Sequence, residues 1–424
     1  METSASVTNI RRQVSTLKMY KSRILILTAS HLCRNPRVVK EATTLGLAGY
    51  DVTVLTVAVQ PRFEAFDREL VADLPFRRVV LDYCSDYWSS RLSDFSQRSA
   101  TWIARYLCRA CNIESAQSLG PAWALLRAAS SISADLTIVH TEIPIWASQH
   151  LIRSGRKVAV DVEDWYSEDL LYADRQSRPI RLLKSAEAFA LNNCTYSSTT
   201  SGSMSAALAE RYNCRPPIIL RNTFPYQPCS RIELGNKREQ PAFIWFSQTI
   251  GPGRGLELFF AAWARTTHPS EVYLLGDERP GYGDKLRDRL PPSHRNRVHF
   301  LQLVPPNDLP LLLANFDIGL ALEPNWPRNR NLTISNKIFQ YMNAGLAIIM
   351  SDTAGQREIY EAAPDIGRLV TAHETGEYAR ILDSLISQPQ VLKSLQLAAR
   401  KAATRYCWEE DAMTLTRSVE RALD

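Results

Sequence analysis

No apolar run in this 424-residue chain approaches the ~20 residues needed to cross a bilayer. The N-terminal stretch METSASVTNIRRQVSTLKMYKSR also lacks the apolar core of a secretory signal. A cytoplasmic location is therefore expected, extending at most to the inner face of a membrane, with residues 1–22 as a basic flexible arm. Cysteine is present but unorganised. The eight residues stand at 33, 84, 108, 111, 194, 214, 229 and 407, and only Cys108 and Cys111 form a C-x-x-C, with no second pair. That spacing excludes a zinc ribbon or a disulfide framework and leaves reduced, structural thiols. An excess of one charge is also small: the formal charge is +6 and the pI about 8.8. Such a balance suits an anionic partner or ordinary solvation, and no nucleic acid is expected. A dinucleotide fingerprint is also lacking. The nearest candidate, GPGRG at 251–255, has the wrong spacing, and Pro252 removes an amide donor.

What is present is an alternation. Short β-branched runs at 23–29 (RILILTA), 51–57, 77–82, 135–140 and 157–162 are separated mostly by helical patterns, the arrangement of a doubly wound α/β sheet. After a polar, proline-bearing stretch, a second series runs through 242–247, 271–276, 297–301, 316–322, 346–350 and 367–370. With 45% hydrophobic residues, the chain can build two such domains. The expected division is an N-terminal domain at 23–222 with a helical insertion at 83–133, a linker at 223–241, a C-terminal domain at 242–405 and a last helix at 406–424. In the insertion, Trp88, Trp102 and Trp123 lie among Arg91, Arg98, Arg105 and Arg109. Indole with guanidinium suits a membrane surface or lipid-linked acceptor. The simpler and preferred reading is a helical pair with tryptophans in the core and arginines in water.

Residues 335–352, SNKIFQYMNAGLAIIMSD, carry the sharpest electrostatic signal. Ser335 reads as an N-cap, 336–343 as a short helix, Gly345 as its left-handed stop and 346–350 as a buried strand. Lys337 then falls in the first turn, where the helix end disfavours a cation by about 0.3–1 kcal/mol unless an anion lies between them. A phosphate would fit, and so would an ordinary solvated lysine. Gln340 shares its face. Two loops also follow strands and precede helices, the usual ligand position in open α/β sheets. The first, SHLCRNPR at 30–37, offers His31, Arg34, Asn35 and Arg37 to an anionic or polyhydroxyl ligand, or is a solvated loop with Pro36 near helix N1. The second, GPGRG, presents Arg254 at a helix N-terminus, where it could clamp a phosphate.

The order of these segments, with DVEDWYSEDL, IGPGRGLE, NKIFQYMNAGLAIIMSDTAGQREI and YCWEEDAM, resembles the retaining nucleotide-sugar glycosyltransferases of the GT-B fold. That large group, "glycosyl transferases group 1", includes bacterial polysaccharide and lipopolysaccharide transferases. The resemblance implies two Rossmann-like domains facing across a cleft, the acceptor mainly on the first and the donor on the second, with the last helix returning to the first. It implies a metal-independent hexosyltransferase that needs no cofactor beyond the nucleotide diphosphate-sugar as co-substrate. A glycan or lipid-linked acceptor and peripheral membrane contact are the implied partners.

Carried over by residue, Arg254, flanked by Gly253 and Gly255, and Lys337, beside Asn336, would grip the donor diphosphate. Gln340 would bond a ribose hydroxyl. Ala354, Gly355, Gln356 and Glu358 of TAGQRE would meet the sugar or ribose. Glu163 stands with Asp164 where relatives have His-Glu, as a catalytic carboxylate. Asp164, His140 and the loop residues His31, Arg34, Asn35 and Arg37 would meet the acceptor. The family's E-x7-E pair is absent, with Leu332 and Gln340 in its places. A non-catalytic nucleotide-sugar-binding protein therefore stays open as a competitor, as does a GT-B sugar-nucleotide epimerase.

Overall fold

Thirteen short strands form two fully parallel sheets in a computed structural model, which describes residues 21–84, 88–171, 175–227, 239–305, 308–371 and 375–424, with the side chains of 88–94 left aside. Most of the expected arm, the middle of the expected linker, and the side chains of Trp88 and Arg91 therefore lie outside the described residues. In the first sheet, β1 (Arg23–Leu27), β2 (Asp51–Ala58), β3 (Arg77–Asp82), β4 (Leu136–His140), β5 (Val158–Val162), β6 (Tyr196–Thr199) and β7 (Ile218–Ile219) stand in the order 3-2-1-4-5-6-7. In the second, β8 (Ala242–Ile250), β9 (Glu271–Glu278), β10 (Val298–Leu301), β11 (Ile318–Ala321), β12 (Ala347–Ser351) and β13 (Gly367–Val370) stand in the order 10-9-8-11-12-13. Each order reverses once, between β1 and β4 and between β8 and β11. Crevices at the carboxyl ends of those strands are the ligand positions of this architecture.

Central strands are continuous apolar runs because helices cover both faces. In β1, Ile24, Leu25, Ile26 and Leu27 are all buried. Strand β6 escapes a hydrophobic reading because it is YSST. Two of its hydroxyls are satisfied inside the sheet: Ser198 Oγ donates to Asp161 at 2.6 Å, and Thr199 Oγ1 to the Val162 carbonyl at 2.8 Å. The insertion forms the helices Trp88–Cys111 and Ala122–Ser131. Two of its tryptophans depart from the expected core packing. Trp102 is 68% exposed and stacks on Tyr106, and Trp123 is half-exposed with its edge on Trp146. No helix among the described residues is long and apolar enough to cross a membrane.

The helix Trp408–Leu423 returns to the first sheet. Trp408, Leu415, Val419 and Ala422 fall on one face at helical spacing and join Ile24, Val38, Leu45 and Tyr50 in one core. Trp408 Nε1 also donates to Thr44 Oγ1 at 2.9 Å.

Candidate functional site

At the second switch point, β8 leads into the turn 251–255 and β11 into Leu322 and Glu323. Gly253 and Gly255 have φ of +75° and +77°, which a side chain would strain. A Cβ on Gly255 would also stand 3.0 Å from that of Leu322. The turn leaves Arg254 partly exposed at the start of the helix Leu256–Trp263. Arg330 Nη1 holds the turn by donating to the Gly253 carbonyl at 3.1 Å.

Lys337 lies in the first turn of the helix Asn336–Ala344, only 9% exposed. Its ammonium donates to Glu323 Oε1 at 2.8 Å and sits 5.7 Å from the Trp245 ring centroid. The anion that the helix end requires is thus present as a protein carboxylate. Burial would raise the Glu323 pKa, but Lys337, then Arg254, outweigh it and hold it below the ordinary range. Ser335 occupies the N-cap without capping, its hydroxyl donating to Glu323 at 3.2 Å instead. The sequence reading missed Glu323; its one signal was a carboxylate directly after a buried strand. Gln340 is buried, and its Oε1 has no partner among the described residues. Asn336 is exposed at the helix start.

The TAGQRE segment opens a helix. Thr353 caps the helix Ala354–Ala362, accepting from the Gln356 amide at 3.3 Å. Gly355 is needed for close approach: a Cβ would meet the Leu332 carbonyl oxygen at 2.5 Å. Gln356 is fully buried, donating to the Ser351 carbonyl at 2.9 Å, with its Oε1 unpartnered among the described residues. Glu358, expected near the donor, faces the first domain instead. Its Oε2 accepts from the Gly202 and Ser203 amides at 2.8 and 3.2 Å, at the positive end of the helix Gly202–Tyr212.

In the first domain, Glu163 and Asp164 follow β5. Glu163 accepts from Asn222 Nδ2 at 2.9 Å. Burial, with Asp164 and Asp161 nearby, pushes it up to about 7. Burial and then Asp169 push Asp164 up to about 6. Arg37 and His140 do not reach a ligand surface. Arg37 belongs to the helix Pro36–Leu47 rather than a loop and is fully buried, with Nε and Nη2 donating to Asp161 at 2.7 Å each. His140 lies between Glu41 and Asp161 at 3.1 Å on either side, in ion-pair contact without hydrogen-bond alignment. Burial would lower its pKa, but the two carboxylates prevail and raise it to about 10.

His31 is also enclosed. Its Nε2 accepts from the Val59 and Gln60 amides, which leaves Nδ1 to donate to Asp67 at 3.0 Å. Asn35 is spent on capping, accepting from the Val38 amide at 3.3 Å. Only Arg34 of this group reaches across, donating to Gln248 Oε1 of β8 at 2.9 Å. Two buried trios could in principle gather a metal, His31 with Glu64 and Asp67, and Glu41 with His140 and Asp161. A guanidinium already sits among each pair of carboxylates, Arg78 in the first and Arg37 in the second.

Residues 240–388 match the family model of glycosyl transferases group 1. No curated protein sequence matches the chain. Among solved structures, HepE from Anabaena in complex with UDP-glucose is 17% identical with a TM-score of 0.65, over 94% of this chain and 99% of that one. Sucrose-phosphate synthase from Thermosynechococcus elongatus is 12% identical with a TM-score of 0.70, over 95% and 99%. The chain has the GT-B fold. WaaG, a glycosyltransferase involved in lipopolysaccharide biosynthesis, is a further similar structure, 16% identical with a TM-score of 0.58 over 93% and 99%.

The two GT-B domains meet along their strand ends. Ser201 Oγ donates to the Leu332 carbonyl at 2.6 Å, and Ser203 Oγ to that of Ala354 at 3.1 Å. The Trp165 amide donates to Asn329 Oδ1 at 2.8 Å. Asn329 Nδ2 also donates to Asp164 at 2.8 Å, while its neighbour Arg330 holds the Arg254 turn.

Proposed function

We propose that this protein is a retaining glycosyltransferase that moves a sugar from a nucleotide diphosphate-sugar to a saccharide or lipid-linked acceptor. The observation that carries the reading is the buried Lys337 at a helix N-terminus beside Arg254, over the β8/β11 switch point. There two cations, Lys337 held by Glu323 and the partly exposed Arg254, suit a diphosphate together with the turn amides. In the step proposed, the bond from the anomeric carbon to the β-phosphate oxygen breaks, and a bond from that carbon to the acceptor oxygen forms on the same face. The acceptor proton passes to the departing phosphate, and the nucleoside diphosphate leaves. Arg254 and Lys337 stabilise its growing charge without a metal. Glu163 faces the sugar from the first domain. Gln340 Oε1 and Gln356 Oε1, both buried and without a partner among the described residues, would accept from ribose or sugar hydroxyls only once donor binding opens the surface above them.

A thermal-shift screen of nucleoside diphosphates and their sugars tests the donor site, since binding stabilises by RT ln(1 + [L]/Kd). Expected is a shift with one base, lost in Arg254→Ala and Lys337→Ala together with transfer to a glycan panel. No shift with any of them sinks the assignment. A shift without transfer or hydrolysis would favour the non-catalytic binder, and isomerised donor without acceptor the epimerase.

We further propose that the insertion helix rests on a membrane surface. Phe95, Trp102, Ile103 and Tyr106 are 50–73% exposed on it, with Arg98 and Arg109 on the same helix. Co-sedimentation with phosphatidylglycerol vesicles but not phosphatidylcholine vesicles is expected, and Trp102→Ser should reduce it.

A further inference from the structure

The five residues of helix Arg328–Leu332 reach across the candidate site and into the first domain. The Arg328 guanidinium lies 4.8 Å from the Trp165 ring centroid of the first domain. Arg330 holds the Gly253 carbonyl of the Arg254 turn. Asn331 Oδ1 accepts from the Ala354 amide at 3.1 Å, at the start of the helix that carries Gln356 and Glu358. The Leu332 carbonyl accepts from Ser201 of the first domain. Asn329 is the centre of this set. It is 2% exposed and uses its carboxamide in full. Oδ1 accepts from the Trp165 amide at 2.8 Å and from Thr333 Oγ1 at 3.3 Å, while Nδ2 donates to Asp164 at 2.8 Å and to Asp169 at 2.9 Å. Three of the four partners belong to the other domain. No other residue type of this size both donates to two carboxylates and accepts from a backbone amide.

We propose that this helix is a clasp holding the donor and acceptor half-sites in register, with Asn329 as its positioning residue. Asp164 and the Arg254 turn are tied to adjacent residues of one short helix, so the two half-sites keep their spacing for as long as these bonds hold. The catalytic part of this inference rests on the glycosyl-transfer reading; the mechanical part does not.

The test is Asn329→Asp, nearly isosteric, which sets a carboxylate oxygen against Asp164 and Asp169 where the amide donated. Small-angle X-ray scattering of the full chain reads domain separation, thermal shift reads nucleotide binding, and steady-state kinetics read transfer. Expected are a larger radius of gyration, an unchanged nucleotide shift, and a fall in kcat on the order of a hundredfold, the scale of a misplacement of about 1 Å. The double variant Asp164→Asn with Asn329→Asp restores one donor–acceptor pair and should recover much of the compactness. If Asn329→Asp does not fold, Asn329→Ala, which adds no charge, takes the same readouts. An unchanged scattering profile in the folded variant overturns the clasp, whatever transfer does. If the wild-type chain neither binds a nucleotide nor transfers a sugar, the enzymatic reading fails and scattering alone still decides the clasp.

Discussion

Replacing Arg37 by methionine removes the charge at the centre of the first domain's polar core while keeping much of the side-chain volume. Its guanidinium makes two 2.7 Å bonds to Asp161, a third to the Leu220 carbonyl at 2.8 Å, and lies 3.4 Å from Glu41. The wild-type cluster is balanced, with Arg37 and protonated His140 against Glu41 and Asp161. The variant leaves two buried carboxylates with one cation and strands a carbonyl. Breaking a buried ion pair from one side costs about 3–5 kcal/mol. At roughly 2–4 °C per kcal/mol for a domain near 200 residues, the midpoint of unfolding should fall by about 6–20 °C at pH 7. Scanning calorimetry measures this, and Arg37→Lys, which keeps the charge but not the fork, should fall between. A loss under about 3 °C in a normally folded variant would refute the reasoning, because it would mean the cluster had neutralised itself by taking up a proton. His140 supplies the pH arm. Its folded pKa, about 10, lies above its ordinary value of 6.5, so its contribution is fully present below about pH 6.5 and is lost as pH rises toward 10. His140→Gln should flatten that alkaline decline.

Three further outcomes follow from the site. Glu323→Gln removes the carboxylate bonded to Lys337 and should tighten nucleoside diphosphate binding by about tenfold in calorimetric titration, since the cation is then free for phosphate; weaker binding would show that Glu323 serves to orient Lys337. Glu163 is pushed up to about 7, so transfer should rise through that pH as it ionises, and Glu163→Gln should lose this limb of the rate profile. Gln340→Glu should strengthen the bond to a ribose hydroxyl and tighten donor binding several-fold, while lowering the melting point without donor because the new charge is buried.

The strands of both sheets were legible because each is a local apolar run between turn residues. Strands β6 and β7 were missed: the Ser198 and Thr199 hydroxyls of β6 are satisfied by neighbours that no pattern reveals, and β7 is only two residues long. The placement of Lys337 at a helix start was equally local, and so were the glycine turn before Arg254 and the apolar face of the last helix.

The sequence by itself determined which residues stand at strand ends and helix starts, because backbone propensity and periodicity act over a few positions. Only the tertiary structure decided what those residues face. Glu323 meets Lys337 from 14 positions away, Glu358 reaches Gly202 across 156, and Asn329 reaches Asp164 across 165. Arg37, expected in a ligand loop, and His140, expected to meet the acceptor, were drawn instead into one buried cluster. Such pairings depend on which strands lie side by side and how the two domains meet, and a buried charge takes whichever partner that arrangement brings within reach.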